Sequence, residues 1–396
     1  MIGVIYISYD GMLEPLGQSQ VLAYLERLAA GRRVHLVSFE KAGDWADLER
    51  RTRIAERIRA AGIHWHPRRY HKRPSALATA YDIMVGTFTA LWLTVRYRLQ
   101  LLHARSDVAT LMAWIVKRLT GARLLFDMRG FWADERVDGG LWPRDGRLYR
   151  VAKWFERRFL LSADHVVSLT QAAVRIMEDY PWLHGCMPPI TVIPTCADLT
   201  RFRPMDVARP AGFVLGHVGS AGTWQLFDEV VACFAILHAM RSDARLLVVN
   251  RNEHAWIRER LAAAGIAPEL FELIAVEHDQ VPAQMARVTA GVFFNIPALS
   301  RQAAAPTKLG EFLGCGIPCL SNRGYGDVTD ILENEGIGIS VESFDEEALR
   351  AGLRRLIALS GQPGIAARCT IVARKYFSLD QGVDAYEKVY ASIEQQ

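Results

Sequence analysis

Short apolar runs alternate with amphipathic helical stretches along almost the whole chain, in two successive sets. Continuous apolar runs of this length suit strands buried on both faces, and regular strand–helix alternation leaves parallel sheets covered by helices as the architecture that buries them. The first set comprises Ile2 to Ser8, Arg33 to Phe39, Leu99 to Arg105, Ala122 to Met128, His165 to Thr170 and Ile190 to Pro194. The second comprises Phe213 to Gly219, Ala244 to Asn250, Phe271 to Val276, Gly291 to Ile296, Pro318 to Asn322 and Gly336 to Val341. Between them, residues 204–212 carry prolines and polar residues without periodicity and read as a linker. A chain of 396 residues is too long for one ordinary core, so two domains are expected.

Composition narrows the class further. Residues are 51% hydrophobic and 23% charged, the profile of a folded enzyme rather than a disordered or fibrous chain. A formal charge of +4 is small for this length and gives no reason to expect nucleic acid as a partner. No basic segment followed by an apolar one opens the chain at Met1, so secretion is not expected. The six cysteines show no CxxC pair and no metal-ligand spacing, which suits reduced thiols in a cytosol. No Asp-x-Asp triplet occurs, and neither a metal nor another cofactor is expected.

In parallel α/β domains ligands gather at the carboxyl ends of strands, so residues just after each strand carry the functional reading. The richest such stretch is AAAPTKLGEFLGCGIPCLSN, residues 303–322. It reads as a helix from Thr307 to about Gly314, with Pro306 suited to its first turn. Amide groups and the positive dipole end there, Lys308 adds a cation, and Glu311 lies one turn further on the same side. A diphosphate at the tip and a hydroxyl-rich sugar or ribose beside the carboxylate would both be satisfied. The alternative is an ordinary helix whose Lys308 and Glu311 are merely solvated.

The pattern PTKLGEFLGCGIPCL resembles the donor-site helix of the group-1 glycosyltransferases, glycosyltransferase family 4, and VIPTCADLTRFRP resembles the segment that closes the first domain in that family. The resemblance implies the GT-B architecture: two Rossmann-like, doubly wound parallel-sheet domains facing a central cleft. The boundaries expected on that basis are 1–205 for an acceptor domain, 206–375 for a nucleotide-sugar donor domain, and 376–396 for a helix crossing back to the first domain. Tyr376, Phe377, Tyr386 and Tyr390 read as packing residues of that segment, and Asp380 as its N-cap. Family members usually place two glutamates seven residues apart in the donor segment. Glu311 matches the second, on the nucleotide ribose, whereas Ala303 stands where the first would be. Gln302, Ser300 or the amides of residues 303–305 are candidates to replace its hydrogen bonds.

Four further points follow from the resemblance. Gly17 and Gln18, in YDGMLEPLGQSQ before a helix expected near Ser19, match the family's glycine-rich loop near the donor phosphate, although a bare turn also explains the glycines. Asp127 matches a family aspartate, but Arg129 stands where a histidine beside the donor sugar is usual. An arginine holds phosphate or developing negative charge and cannot shuttle a proton near neutrality; it also has the option of simply bracing the loop against Asp127 or Asp134. Gly219 and Ser220 match a loop of the diphosphate pocket, with Arg251 the expected second cation or else a surface residue. Val276, Glu277 and His278 match the segment that receives the base, with His278 by default a loop histidine.

Residues His64 to Arg73 form a basic, aromatic patch, and Ser75 to Val95 hold a single charge, Asp82, in an otherwise apolar or small-residue stretch. Together they suit either peripheral contact with anionic lipid or a helix buried behind the sheet, and Asp82 with several threonines argues against a transmembrane helix. The resulting expectation is a retaining, metal-independent glycosyltransferase, cytoplasmic or at the inner face of the membrane. It would move a sugar from a nucleotide-diphosphate sugar to a glycan or polyprenyl-lipid-linked acceptor in surface-polysaccharide assembly. A nucleotide-sugar epimerase on the same fold and a non-catalytic carbohydrate- or partner-binding protein are the rivals.

Overall fold

The computed structural model describes residues 2–73, 75–206, 212–277 and 279–395. His278 and most of the expected linker, at 207–211, lie outside the described residues. The chain divides into two compact units, Met1–Pro194 with Gly382–Gln396, and Thr195–Gln381. The division therefore falls ahead of residues 195–205 rather than after them. Those residues belong to the second unit because the Ala197 amide donates to the Phe377 carbonyl (2.8 Å) and Phe202 packs in that unit's core.

The first unit holds β1 (Gly3–Ser8), β2 (Arg33–Glu40), β3 (Ile63–Arg69), β4 (Leu101–Arg105), β5 (Arg123–Met128), β6 (His165–Ser168) and β7 (Ile190–Val192). They form one parallel sheet in the order β3-β2-β1-β4-β5-β6-β7, so the winding reverses between β1 and β4. Alternation along β1 explains the double cover. Ile5 and Ile7 face a cluster with Ala90, Leu93, Met112 and Val116 from the Ser75–Tyr97 and Ser106–Thr120 helices. Tyr6 faces the opposite cluster, with Leu22, Leu25, Ile54 and Ile58. The strand β3 was not expected: it is an edge strand of sequence IHWHPRR, and its single neighbour β2 leaves it no need for a continuous apolar run. The basic patch at 64–73 is thus largely sheet edge.

The second unit holds β8 (Val214–Val218), β9 (Arg245–Val249), β10 (Phe271–Ile274), β11 (Ala290–Val292), β12 (Cys319–Asn322) and β13 (Gly338–Val341). Their order, β10-β9-β8-β11-β12-β13, is again all parallel, with its reversal between β8 and β11. Its core runs through Phe234, Phe293, Phe294 and Phe312. The carboxyl-terminal region is two helices rather than one, Ile365–Phe377 and Leu379–Glu394, so Asp380 lies inside the second rather than capping it. Phe377 is buried in the second unit, whereas Tyr386 and Tyr390 pack in the first, beside Tyr24 and His103. All six cysteines are free thiols, and only Cys186 is exposed.

Candidate functional site

In each unit the polar residues gather at the carboxyl ends of strands next to the winding reversal, where a doubly wound sheet opens a crevice. In the first unit, β4 ends in Arg105, and Asp127 is the next-to-last residue of β5, with Arg129 just beyond its end. The Arg129 guanidinium lies 3.6 Å from Asp127 Oδ1, and His103 Nε2 lies 3.5 Å from Asp127 Oδ2. Gln20 Oε1 accepts from Arg105 (2.7 Å) and Arg129 (3.4 Å), and Arg105 also lies 3.6 Å from Asp10. Burial alone would raise the Asp127 carboxyl, but Arg129, then His103, reverse this and hold it down to about 2. Burial likewise opposes the Arg129 charge, and Asp127 more than offsets it. Asp127 is therefore an ionised, buried brace that aims Arg129, and Arg129 is the better placed of the two to meet a ligand. Ser106, directly after Arg105, has φ 68, a backbone strain of the kind that collects at sites.

Sequence reasoning missed Arg105, His103 and Gln20. Arg105 and His103 closed a run that otherwise read as buried strand, and only the parallel register that sets Arg105 beside Asp127 brings them into the cluster. Gly17 and Gln18 lie in helical backbone rather than in a loop. The helix begins at Pro15, ahead of Ser19, so Gly17 sits in helical backbone with φ −61. A Cβ there would stand 2.1 Å from the Gly11 carbonyl oxygen, which is why the residue is glycine. Gln18 turns its side-chain amide back to the Leu13 carbonyl (3.3 Å). The nearby amides of Met12 and Leu13 are already taken, by the two oxygens of Glu40 at 2.9 and 3.1 Å.

The second unit repeats this device. The amides of Ala221 and Gly222, in the loop after β8, donate to Glu253 at 2.8 and 2.9 Å, and Asn250 braces both Glu253 (2.7 Å) and the Gly219 carbonyl (3.0 Å). Burial pushes the Glu253 carboxyl up, but these donors and Lys308 leave it below its ordinary value. Loop glycines here receive a built-in carboxylate. Gly219 pairs its own amide with the Val249 carbonyl (2.9 Å) but is exposed, with φ +100 and with Lys308 Nζ 3.6 Å from the place a Cβ would take, so a ligand has close access to the backbone there. Ser220 is exposed beside it and its carbonyl accepts from His217 (3.2 Å).

The Thr307–Gly314 helix has Pro306 at its N-cap, buried, and Gly316 at φ +78 closes the segment. Lys308 donates to Gln225 Oε1 at 3.1 Å. Burial brings the Lys308 ammonium down to about 8 and pushes the Glu311 carboxyl up to about 7, with the mutual attraction of the two opposing each shift. The loop is pinned on its other side as well. Trp224 and Leu226 exchange backbone hydrogen bonds with Ile296 and Phe294 at 3.0 Å, and Thr223 holds φ 61 despite its branched side chain. Arg301, 6% exposed, stacks over Trp224 at 4.1 Å.

Two arginines of this unit differ in their setting. Arg251 is exposed and paired with exposed Glu277 (3.1 Å), whereas Arg301 is buried against the loop that also holds Lys308. Gln302 is half-buried near Gly324, and Ala303 is buried in the Leu299–Ala303 helical turn. Val276 is half-buried against the core after β10. Asn295, just past β11, is fully buried with its side-chain amide unpaired among the described residues, and its backbone pairs with Gln225. Among the described residues no three His, Cys, Asp or Glu side chains form a metal-ligating group.

Two family models match the chain nearly end to end: a glycosyl transferase 4-like domain over residues 18–196 and glycosyl transferases group 1 over residues 206–375. Among solved structures, the fold is similar to a glycosyltransferase from Rickettsia africae at 12% identity and TM-score 0.73, covering 100% of this chain and 99% of that one. Sucrose-phosphate synthase from Thermosynechococcus elongatus aligns at 13% identity and TM-score 0.75 over 100% of both chains. The Anabaena protein HepE, solved with UDP and glucose, aligns at 13% identity and TM-score 0.70, covering 99% and 100%. At these identities the likeness establishes the two-domain GT-B fold. No curated protein matches the chain.

Proposed function

We propose, for a chain that belongs to the group-1 glycosyltransferases, that it transfers a hexose from a nucleotide-diphosphate sugar held by the second unit, retaining the anomeric configuration. The observation that carries this reading is the constellation Gly219, Lys308, Gln225 and Glu311 at the start of the Thr307–Gly314 helix. An exposed glycine, an ammonium and the amino end of a helix suit a diphosphate, and a carboxylate one turn on suits vicinal ribose hydroxyls. A structural neighbour solved with UDP and glucose supports the nucleotide-sugar class.

In this reading Lys308, Arg301 and the helix amides take up the charge that develops on the leaving diphosphate, so no step calls for a metal ion. Arg129, aimed by Asp127, suits a developing negative charge on the acceptor. The departing phosphate oxygen takes the proton of the incoming hydroxyl, since Arg129 has none to exchange near neutrality. The acceptor is a glycan or polyprenyl-linked saccharide of surface-polysaccharide assembly at the inner face of the membrane. Support for the retention and the pathway is the family alone.

The test is a nucleotide-sugar panel read by thermal shift and then by turnover. A single donor class should raise the melting temperature, and Lys308→Ala should abolish the rise. Donor converted without acceptor would instead indicate an epimerase. Donor bound with no transfer to any saccharide acceptor would indicate a binding protein.

A further inference from the structure

The Ser75–Tyr97 helix is built inside out. Its sheet-facing side carries the polar groups. Asp82 is buried and accepts from the Tyr9 hydroxyl (3.0 Å) and the His71 amide (2.9 Å), with the His71 ring at 2.6 Å, and Thr89 and Thr94 are buried too. The solvent side carries no charged residue between positions 76 and 95. Leu77, Tyr81, Met84, Phe88, Trp92 and Val95 recur at helical spacing on one face, and each is between 49% and 72% exposed. The remaining exposed positions between residues 76 and 95 are Ala76 and Ala80. From Leu77 to Val95 the stripe runs about 27 Å. Water-facing helix sides ordinarily hold charges, and an apolar face of this length marks a surface that something covers.

Charge identifies the cover. Lys72 and Arg73 precede the helix, Arg96 and Arg98 close it, and all four are exposed. Asp82, turned inward, is the one acidic residue between positions 72 and 98. A second copy of this face has no complementary charge to offer, because either two-fold arrangement sets basic ends against basic ends. An anionic surface satisfies both ends at once while its apolar layer receives the stripe. By length and composition, with mean hydropathy 1.3, the helix could cross a bilayer. Its opposite side, however, is committed to the domain: a Cβ at Gly86 would stand 2.4 Å from the Met112 sulfur, and Leu93 is fully buried. One side is therefore free for a membrane to cover and the other is not.

We propose that the solvent face of the Ser75–Tyr97 helix docks flat on an anionic lipid bilayer, with Phe88 and Trp92 among the residues that enter the headgroup layer and Lys72, Arg73, Arg96 and Arg98 as its electrostatic rim. This surface goes beyond the donor reading and is independent of which nucleotide sugar the second unit takes. It is tested by co-sedimenting the full chain with vesicles of phosphatidylethanolamine and phosphatidylglycerol, and separately with phosphatidylcholine alone. Wild type should pellet with the anionic vesicles, less so in high salt, and about tenfold more weakly with phosphatidylcholine. The variant Phe88→Ser/Trp92→Ser, and separately Lys72→Gln/Arg73→Gln/Arg96→Gln/Arg98→Gln, should each bind the anionic vesicles about tenfold more weakly while keeping the wild-type melting temperature and donor thermal shift. Wild type that stays in the supernatant overturns the proposal. So does a concentration-dependent dimer that Phe88→Ser/Trp92→Ser disperses without any vesicle binding. Loss of donor binding in wild type would count against the donor reading and leave the vesicle result to be judged alone.

Discussion

Replacing Glu311 with Gln should make the protein more stable and a poorer binder at once. The Glu311 carboxyl sits at about 7 instead of 4.5 because of burial, partly opposed by Lys308. A carboxyl raised in this way favours the folded state while protonated, and that advantage is lost as pH rises from its unfolded value through 7. At about 1.4 kcal/mol per pKa unit, ionising it at pH 8 costs up to ~3 kcal/mol; water that reaches the half-buried group trims this to roughly 1–2 kcal/mol. Glutamine keeps the shape and removes the charge, so Glu311→Gln should melt about 3–6 °C higher at pH 8. At about pH 3.5, below the carboxyl's ordinary value of 4.5, the group is neutral in both the folded and unfolded states and the two proteins should melt together. Donor binding should move the other way, about 10–100-fold weaker, from the lost charge-assisted hydrogen bonds to ribose. Thermal melts at the two pH values and calorimetric titration with the donor read both effects. A variant less stable at pH 8 with unchanged affinity would refute the assignment, since Glu311 would then be a structural anchor.

Other expected outcomes follow from the same geometry. Because burial brings Lys308 down to about 8 and pushes Glu311 up to about 7, donor affinity should peak between those values, falling as pH rises through 8 and again as it drops through 7, measured by titration across the range; an affinity that rises through pH 8 would remove Lys308 from the site. Gly219→Ala forces a side chain onto φ +100 beside Lys308, costing about 1–3 kcal/mol of stability and weakening donor binding in the same preparation. Arg129→Met strands buried Asp127 and should cost about 3–5 kcal/mol by chemical denaturation; adding Asp127→Asn should return most of the stability and none of the turnover. Gly17→Ala, whose Cβ would meet the Gly11 carbonyl oxygen at 2.1 Å, should lower the melting temperature while sparing the donor shift.

The two-sheet architecture was legible because parallel strands buried on both faces must be largely apolar, and β1, β4, β5, β8 and β9 each carry at least three apolar residues. The edge strand β3 escaped because hydrogen bonds to one neighbour hold IHWHPRR in place without that composition. The Thr307–Gly314 helix could be read closely, since Pro306 and Gly316 punctuate it, although Pro306 is its N-cap rather than part of its first turn. Its neighbours could not. Arg301 lies in a segment without periodicity and becomes a site residue only by stacking on Trp224, more than seventy positions away. Glu40 and Glu253 likewise reach loop amides that glycine-rich sequence alone suggests are open to phosphate. Long-range contacts of this kind leave no local pattern, so neither the exposed Arg251–Glu277 pair nor the close approach of Gly17 to the Gly11 carbonyl could be read from position.

The most direct measurement is a crystal structure of the chain with a bound nucleoside diphosphate. The account predicts the diphosphate within hydrogen-bond distance of Lys308 and beside Gly219, with the ribose hydroxyls on Glu311. A nucleotide seated away from the start of the Thr307–Gly314 helix, with Glu311 untouched, would contradict it.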